Sequence, residues 1–134
     1  MKKILPILAI IVAGLALNSC EKDEGKLPYI SFKTGIGYTS ANANVPQGTD
    51  VLVGITAAKA EDEDVLKTFD VARVLDGGAS TSIYTESLTG ASGDNYAKDM
   101  IITTRATAGT EKYTFSVVNR DGLVNSVTLT LTTP

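Results

Sequence analysis

Glu111-Lys112-Tyr113-Thr114-Phe115-Ser116-Val117-Val118-Asn119 is the stretch on which the fold turns. Tyr113, Phe115 and Val117 fall on one side, and Lys112, Thr114 and Ser116 on the other. That period of two belongs to a half-buried strand and not to a helix. Arg120-Asp121-Gly122 supplies a turn. Leu123 to Thr132 then repeats the alternation, with Val127, Leu129 and Leu131 facing in and Thr128, Thr130 and Thr132 facing out. Two such runs joined by a Gly-containing turn predict an antiparallel hairpin.

Working upstream, the same pattern recurs between turn signals. Strands are predicted over 28–33 (Ile30 and Phe32 inward), 50–57 (Val51, Val53 and Ile55 inward), 66–75 (Phe69 and Val71 inward), 80–88 and 98–105. The Gly-, Ser- and Asn-rich stretch 34–44 is expected to follow an edge as a half-strand ending at Val45. Asp76-Gly77-Gly78 offers the positive-φ residues of a tight hairpin. About seven strands in roughly 107 residues predict an all-β fold, a single antiparallel β-sandwich.

Composition narrows the chemistry. The chain carries 12 basic and 15 acidic residues, no His, no Trp and a single Cys. A mildly acidic domain with scattered Lys and Arg lacks the basic stripe that nucleic acid requires. With one Cys there is no intramolecular disulfide, so stability is expected from packing. Without His the commonest general base is missing, and no Ser-x-x-Lys pattern activates a serine. A pair of carboxylates would suffice for a glycosidase, but a sandwich of this size leaves little room for a deep cleft. The expectation is a non-enzyme with no cofactor.

The amino terminus has a different character. Lys2-Lys3 precedes an apolar run from Ile4 to Leu17, too short to span a bilayer with ease and suited to a signal peptide. The run ends in Leu17-Asn18-Ser19-Cys20. This resembles the bacterial lipobox, although Asn18 departs from the usual Ala, Ser or Thr. The resemblance implies that residues 1–19 are cleaved and that Cys20 carries a covalent lipid and becomes the first residue. Residues 20–27 would then form a short acidic tether and 28–134 the sandwich. Lys22-Asp23-Glu24 resembles the export signal that sends Bacteroidetes-type lipoproteins to the outer face of the outer membrane. The same residues also read as a plain solvated tether. From Cys20 to Pro28 the chain reaches about 25–30 Å at most, so the domain is expected close to its membrane.

Ala108 to Val117, continuing through Asn119-Arg120-Asp121-Gly122, resembles the last hairpin of bacterial immunoglobulin-like and fibronectin-type surface modules. That resemblance implies a tyrosine-corner role for Tyr113, with its ring buried and its hydroxyl tied to the backbone of the preceding corner. It also implies that the start of the first strand shares an end with Glu61–Asp64 and Arg120-Asp121. With the short tether, that end is expected to face the membrane, and Asp76–Gly78, Ala106–Thr110 and Pro134, at the other end, to face outward.

Three further clusters carry possible chemistry. Glu61-Asp62-Glu63-Asp64 could offer oxygens to calcium, but no EF-hand spacing or Gly-rich repeat accompanies it, and it reads first as a solvated loop. Asp94-Asn95-Tyr96 with Asp99 reads as turn chemistry before a strand. Tyr29, Tyr38, Tyr84 and Tyr96 would make a sugar platform only if their rings shared one exposed face. The expected partners are the membrane, through the lipid, and an envelope protein met through an exposed edge strand. A glycan is the alternative, for an accessory of a polysaccharide-uptake system. A periplasm-facing location is a second alternative.

Overall fold

The computed structural model describes residues 25–134. Eight strands and one helical turn follow one another: β1 (Tyr29–Phe32), β2 (Ala43–Asn44), β3 (Asp50–Ala58), β4 (Leu66–Leu75), β5 (Ser80–Ser87), α1 (Ala91–Asp94), β6 (Asn95–Thr103), β7 (Gly109–Asn119) and β8 (Val124–Thr133). They form two sheets, a three-stranded one ordered β1-β3-β6 and a five-stranded one ordered β2-β8-β7-β4-β5. The result is an all-β sandwich.

Period-two patterning drives the layering. Val53, Ile55, Phe69, Val71, Phe115, Val117, Leu129 and Leu131 are fully buried between the sheets. Each large apolar side chain removed from water in this way contributes about 1.5–3 kcal/mol. Ile30, Phe32 and Val127 are half-buried and pack against the same core. Aromatic rings cross the gap. Phe32 of β1 meets Phe115 of β7 edge-on at 5.6 Å, and Phe69 of β4 meets Tyr96 of β6 at 5.1 Å.

Two features depart from a purely antiparallel sandwich. β2 pairs in parallel with β8 through Ala43↔Leu131 and Asn44↔Thr132. Tyr38 bridges Leu52 in parallel as well. Both arise because the chain after β1 turns out, returns along the same edge of β3, and then crosses to the other sheet. The strand after the Asp76 hairpin stays on the sheet of its partner, so β5 extends β4. The turn uses Asp76 (φ 50°) and Gly77 (φ 74°), closed by Gly78 N–H donating to the Leu75 carbonyl at 2.9 Å. Gly78 itself, expected at positive φ, does not adopt it.

The two ends of the sandwich separate as strand parity requires. Tyr29 pairs with Ala58 at one end. There Asn119 Nδ2 donates to the Lys26 carbonyl at 3.4 Å and Asn125 Nδ2 to the Pro28 carbonyl at 2.9 Å. The segment that leads in from the amino terminus is thereby stitched to the adjoining ends of β7 and β8. The opposite end gathers Asp76, Arg105, Thr110 and Pro134.

Candidate interaction surface

Cys20, Lys22, Asp23 and Glu24 lie outside the described residues. Glu61–Asp64 and Arg120-Asp121 line one polar depression at the Pro28 end. Its basic groups hold backbone: Arg120 Nη1 donates to the Glu63 carbonyl at 3.2 Å and Lys59 Nζ to the Asp62 carbonyl at 3.3 Å. Among the described residues no three His, Cys, Asp or Glu side chains converge as metal ligands would.

Tyr113 is buried as expected, but its hydroxyl does not reach the backbone directly. It donates to Glu111 Oε1 at 2.6 Å, and Glu111 Oε2 accepts the Arg105 N–H at 2.8 Å. The corner is thus tied through a carboxyl that is only 1% exposed. Burial, and next the bond to Glu111, raise the Tyr113 phenol above its ordinary pKa. The spacing could have shown this, since Glu111, Tyr113 and Phe115 share one face of a period-two strand. Beside them Asp76 Oδ2 receives Arg105 Nη1 at 2.8 Å and Asp76 Oδ1 receives the Thr110 N–H at 2.9 Å. The Thr110 bond first, and Arg105 second, hold the Asp76 carboxyl below its usual range.

The Asp94–Asp99 stretch is not a turn site. Asn95, Tyr96 and Asp99 all belong to β6. Asp94 pairs with Lys59 at 2.9 Å, while Tyr96 enters the core. Tyr96 and Tyr84 both donate to Glu86 Oε1, at 2.6 and 2.7 Å, closing the gap between β5 and β6. These two hydroxyls, Tyr96 first, keep the Glu86 carboxyl below its usual range. Burial and then Glu86 raise the Tyr96 phenol. Tyr84 and Tyr96 therefore face the interior, while Tyr29 and Tyr38 lie on the outer side of the three-stranded sheet.

The two outer faces differ in kind. Outward positions of the five-stranded sheet fall into four cross-strand rows: Ser87, Thr68, Val118, Val124; then Thr85, Asp70, Ser116, Ser126; then Ser82, Ala72, Thr114, Thr128; then Ser80, Val74, Lys112, Thr130. Ten of these sixteen are Ser or Thr, so water is a fully adequate partner for this face. The three-stranded sheet shows Tyr29 and Ile101, each 60% exposed. Of its charges, Lys33 and Asp99 pair with each other and Asp50 accepts the Thr103 hydroxyl. Asp99 accepts Lys33 Nζ at 2.7 Å and Tyr38 Oη at 3.0 Å. Lys33 lowers the Asp99 pKa, and Asp99 raises that of Lys33. Gly54 makes the cluster possible, because a Cβ there would stand 2.6 Å from the Tyr38 ring and 2.7 Å from the Lys33 stem.

The edges differ too. β5 is interrupted: Val71 pairs with Tyr84 and Ala72 with Ser82, so Ile83 is an extra, bulged residue. Bulges of this kind blunt an edge against further strands. β6 pairs with β3 along all nine of its residues without a register shift, and no strand follows it in the sheet.

No family model matches the chain, and no curated protein matches it either. Among solved structures it is similar to a variant of superoxide reductase (neelaredoxin) from Ignicoccus hospitalis, with TM-score 0.53 and 10% identity over all of both chains. A second neelaredoxin structure from that organism gives TM-score 0.50 and 6% identity over 81% of each chain. A β-glucosidase from Listeria innocua in complex with gluconolactone gives TM-score 0.47 and 14% identity, over 78% of this chain and 16% of that one. At these identities the neelaredoxin likeness bears on the fold alone, and the β-glucosidase likeness carries no argument. No helix of the described residues is long and apolar enough to cross a membrane.

Proposed function

We propose that this chain is a Bacteroidetes-type lipoprotein, anchored through Cys20 to the outer membrane and exposed at the cell surface. Its sandwich, of immunoglobulin-like or fibronectin type, works as a non-catalytic interaction or structural module for an envelope protein. The observation that carries this reading is β6, a regular nine-residue edge without a bulge, in a domain whose entry segment is stitched to the rim nearest the tether. Such an edge can accept a partner strand by main-chain hydrogen bonding. A tether of about 25–30 Å restricts that partner to the neighbourhood of the membrane.

The test has two arms. Intact-mass analysis of the protein purified from its membranes should show an acyl increment that Cys20→Ala abolishes. Protease shaving of intact cells should remove the domain. Survival of the domain would place it on the periplasmic side, and a missing acyl increment would remove the anchor. For the edge, a photo-crosslinking residue in place of Lys98 should give a discrete adduct in cells, and one in place of Ser126 should not. Equal labelling from both positions would leave β6 with no special role.

A further inference from the structure

We propose that the outer face of the three-stranded sheet is a lipid-contacting surface, on which the tethered domain lies side-on. This rests on the anchored reading above and adds the surface and the orientation. Tyr29 and Ile101 occupy outward positions of β1 and β6, and Ile36 is fully exposed. Ile36 tops the turn between Lys33 and Tyr38, whose side chains both lie on this face over Gly54. The turn therefore stands on the same side of the sheet.

Several polar groups of this face have partners within it. Lys33 and Asp99 form an ion pair at 2.7 Å, and Asp50 receives the Thr103 hydroxyl at 2.6 Å. A face whose large apolar groups are exposed, whose cation is paired with Asp99 and whose remaining carboxylate, Asp50, lies at the end away from the tether gives up little on leaving water. Tyrosine suits the boundary between headgroups and acyl chains. Reach selects the occupant: Tyr29 is the first residue of the face and lies within about 30 Å of Cys20 along the chain. The alternative end-on pose would press Glu61–Asp64, at the tethered rim, into the headgroups. Anionic lipid would oppose that pose, whereas side-on docking leaves those acids at the margin.

Because the chain has no Trp, single substitutions become reporters. The lipidated protein with Ile36→Trp, Ile101→Trp or Val124→Trp is reconstituted on phosphatidylcholine vesicles with brominated acyl chains. Val124 is the control, exposed at the tethered end but on the opposite face. Ile36→Trp and Ile101→Trp should shift to the blue and lose most of their emission, and Val124→Trp should keep both. Equal quenching at Val124→Trp would establish the end-on pose and overturn the proposal. Protein that carries the acyl mass and floats with the vesicles, yet shows no quenching at Ile36→Trp, would also overturn it while leaving the anchor standing. A concentration-dependent shift of Ile101→Trp without quenching would put a second copy on the face instead. Protein without the acyl mass would overturn the anchor, and this surface with it.

Discussion

Each sheet clasps a tyrosine hydroxyl with a carboxyl group, but at opposite depths. In the five-stranded sheet Glu111 does so inside, taking Tyr113 and the Arg105 N–H where almost no water reaches. In the three-stranded sheet Asp99 does so outside, taking Tyr38 and Lys33 on the surface. The outer faces invert this. The sheet with the buried carboxyl presents hydroxyls to water, and the sheet with the surface carboxyl presents Tyr29 and Ile101. Similar hydrogen bonds therefore do different work at different depths. The inner set fixes a corner of the fold, because it lies where almost no water reaches to replace a lost bond. The outer set pairs Lys33 with Asp99 on a face that also exposes Tyr29 and Ile101.

The largest expected effect tests the inner member. Glu111→Leu takes the shared carboxyl from the Tyr113 hydroxyl and the Arg105 N–H, leaving the hydroxyl to Arg73, and should destabilise the protein by about 2–4 kcal/mol in denaturant unfolding. Tyr113→Phe leaves one buried oxygen short of a donor and should cost about 1–2 kcal/mol. Asp99→Leu, made in parallel, exposes its former partners to water and should leave the denaturation midpoint nearly where it was. Equal losses at Glu111 and Asp99 would erase the contrast.

A smaller effect sharpens the contrast between the faces. Gly54→Val drives a side chain into Tyr38 and Lys33 and should cost about 1–3 kcal/mol by overpacking. Ala72→Val, at an outward position of the hydroxyl face, adds a β-branched residue to open surface and should stay within about 0.5 kcal/mol. Ile101→Thr and Ile36→Ser should likewise stay within about 0.5 kcal/mol. If either falls by more than about 1 kcal/mol, that residue is packed in solution and the three-stranded face is not open.

Much of this fold is legible in the sequence. The strand over 66–75 falls where the alternation placed it, and every residue expected to face inward packs on the core. The start of β6 was not legible, because Asp94 and Asn95 have turn chemistry and their neighbours are Gly and Ser. Local propensity pointed to a loop while Tyr96, in step with Met100 and Ile102, was already facing inward. Side-chain roles were less legible than strands. Glu61–Asp64 is conspicuous as composition, yet its carboxyls do not converge as metal ligands. Glu86 and Glu111 look ordinary in sequence, and their roles come from partners across a strand pair or around a corner. Outer-face character was half legible: the alternating Thr of β8 announced a polar face. The turn at Ile36 gave no periodic signal.

The smallest effect is the acid response of the outer clasp. The folded-state pKa of Asp99 is depressed, first by the Lys33 hydrogen bond. A carboxyl of this kind binds its proton less readily in the folded than in the unfolded chain, where aspartate titrates near about 3.9. Its contribution is therefore complete above that value and is lost as pH falls through the lower folded-state pKa. Glu86 and Asp76 are depressed as well and act in the same direction. The melting temperature should accordingly hold through the neutral range and decline only below about pH 4. Asp99→Asn should make that decline slightly shallower and leave the neutral value almost unchanged, since an exposed pair is heavily screened by water and salt. A melting curve for Asp99→Asn that matches the parent at every pH would show that the clasp makes no contribution to folding and that its work is confined to the character of the face. A large drop at neutral pH would instead make Asp99 a structural equal of Glu111.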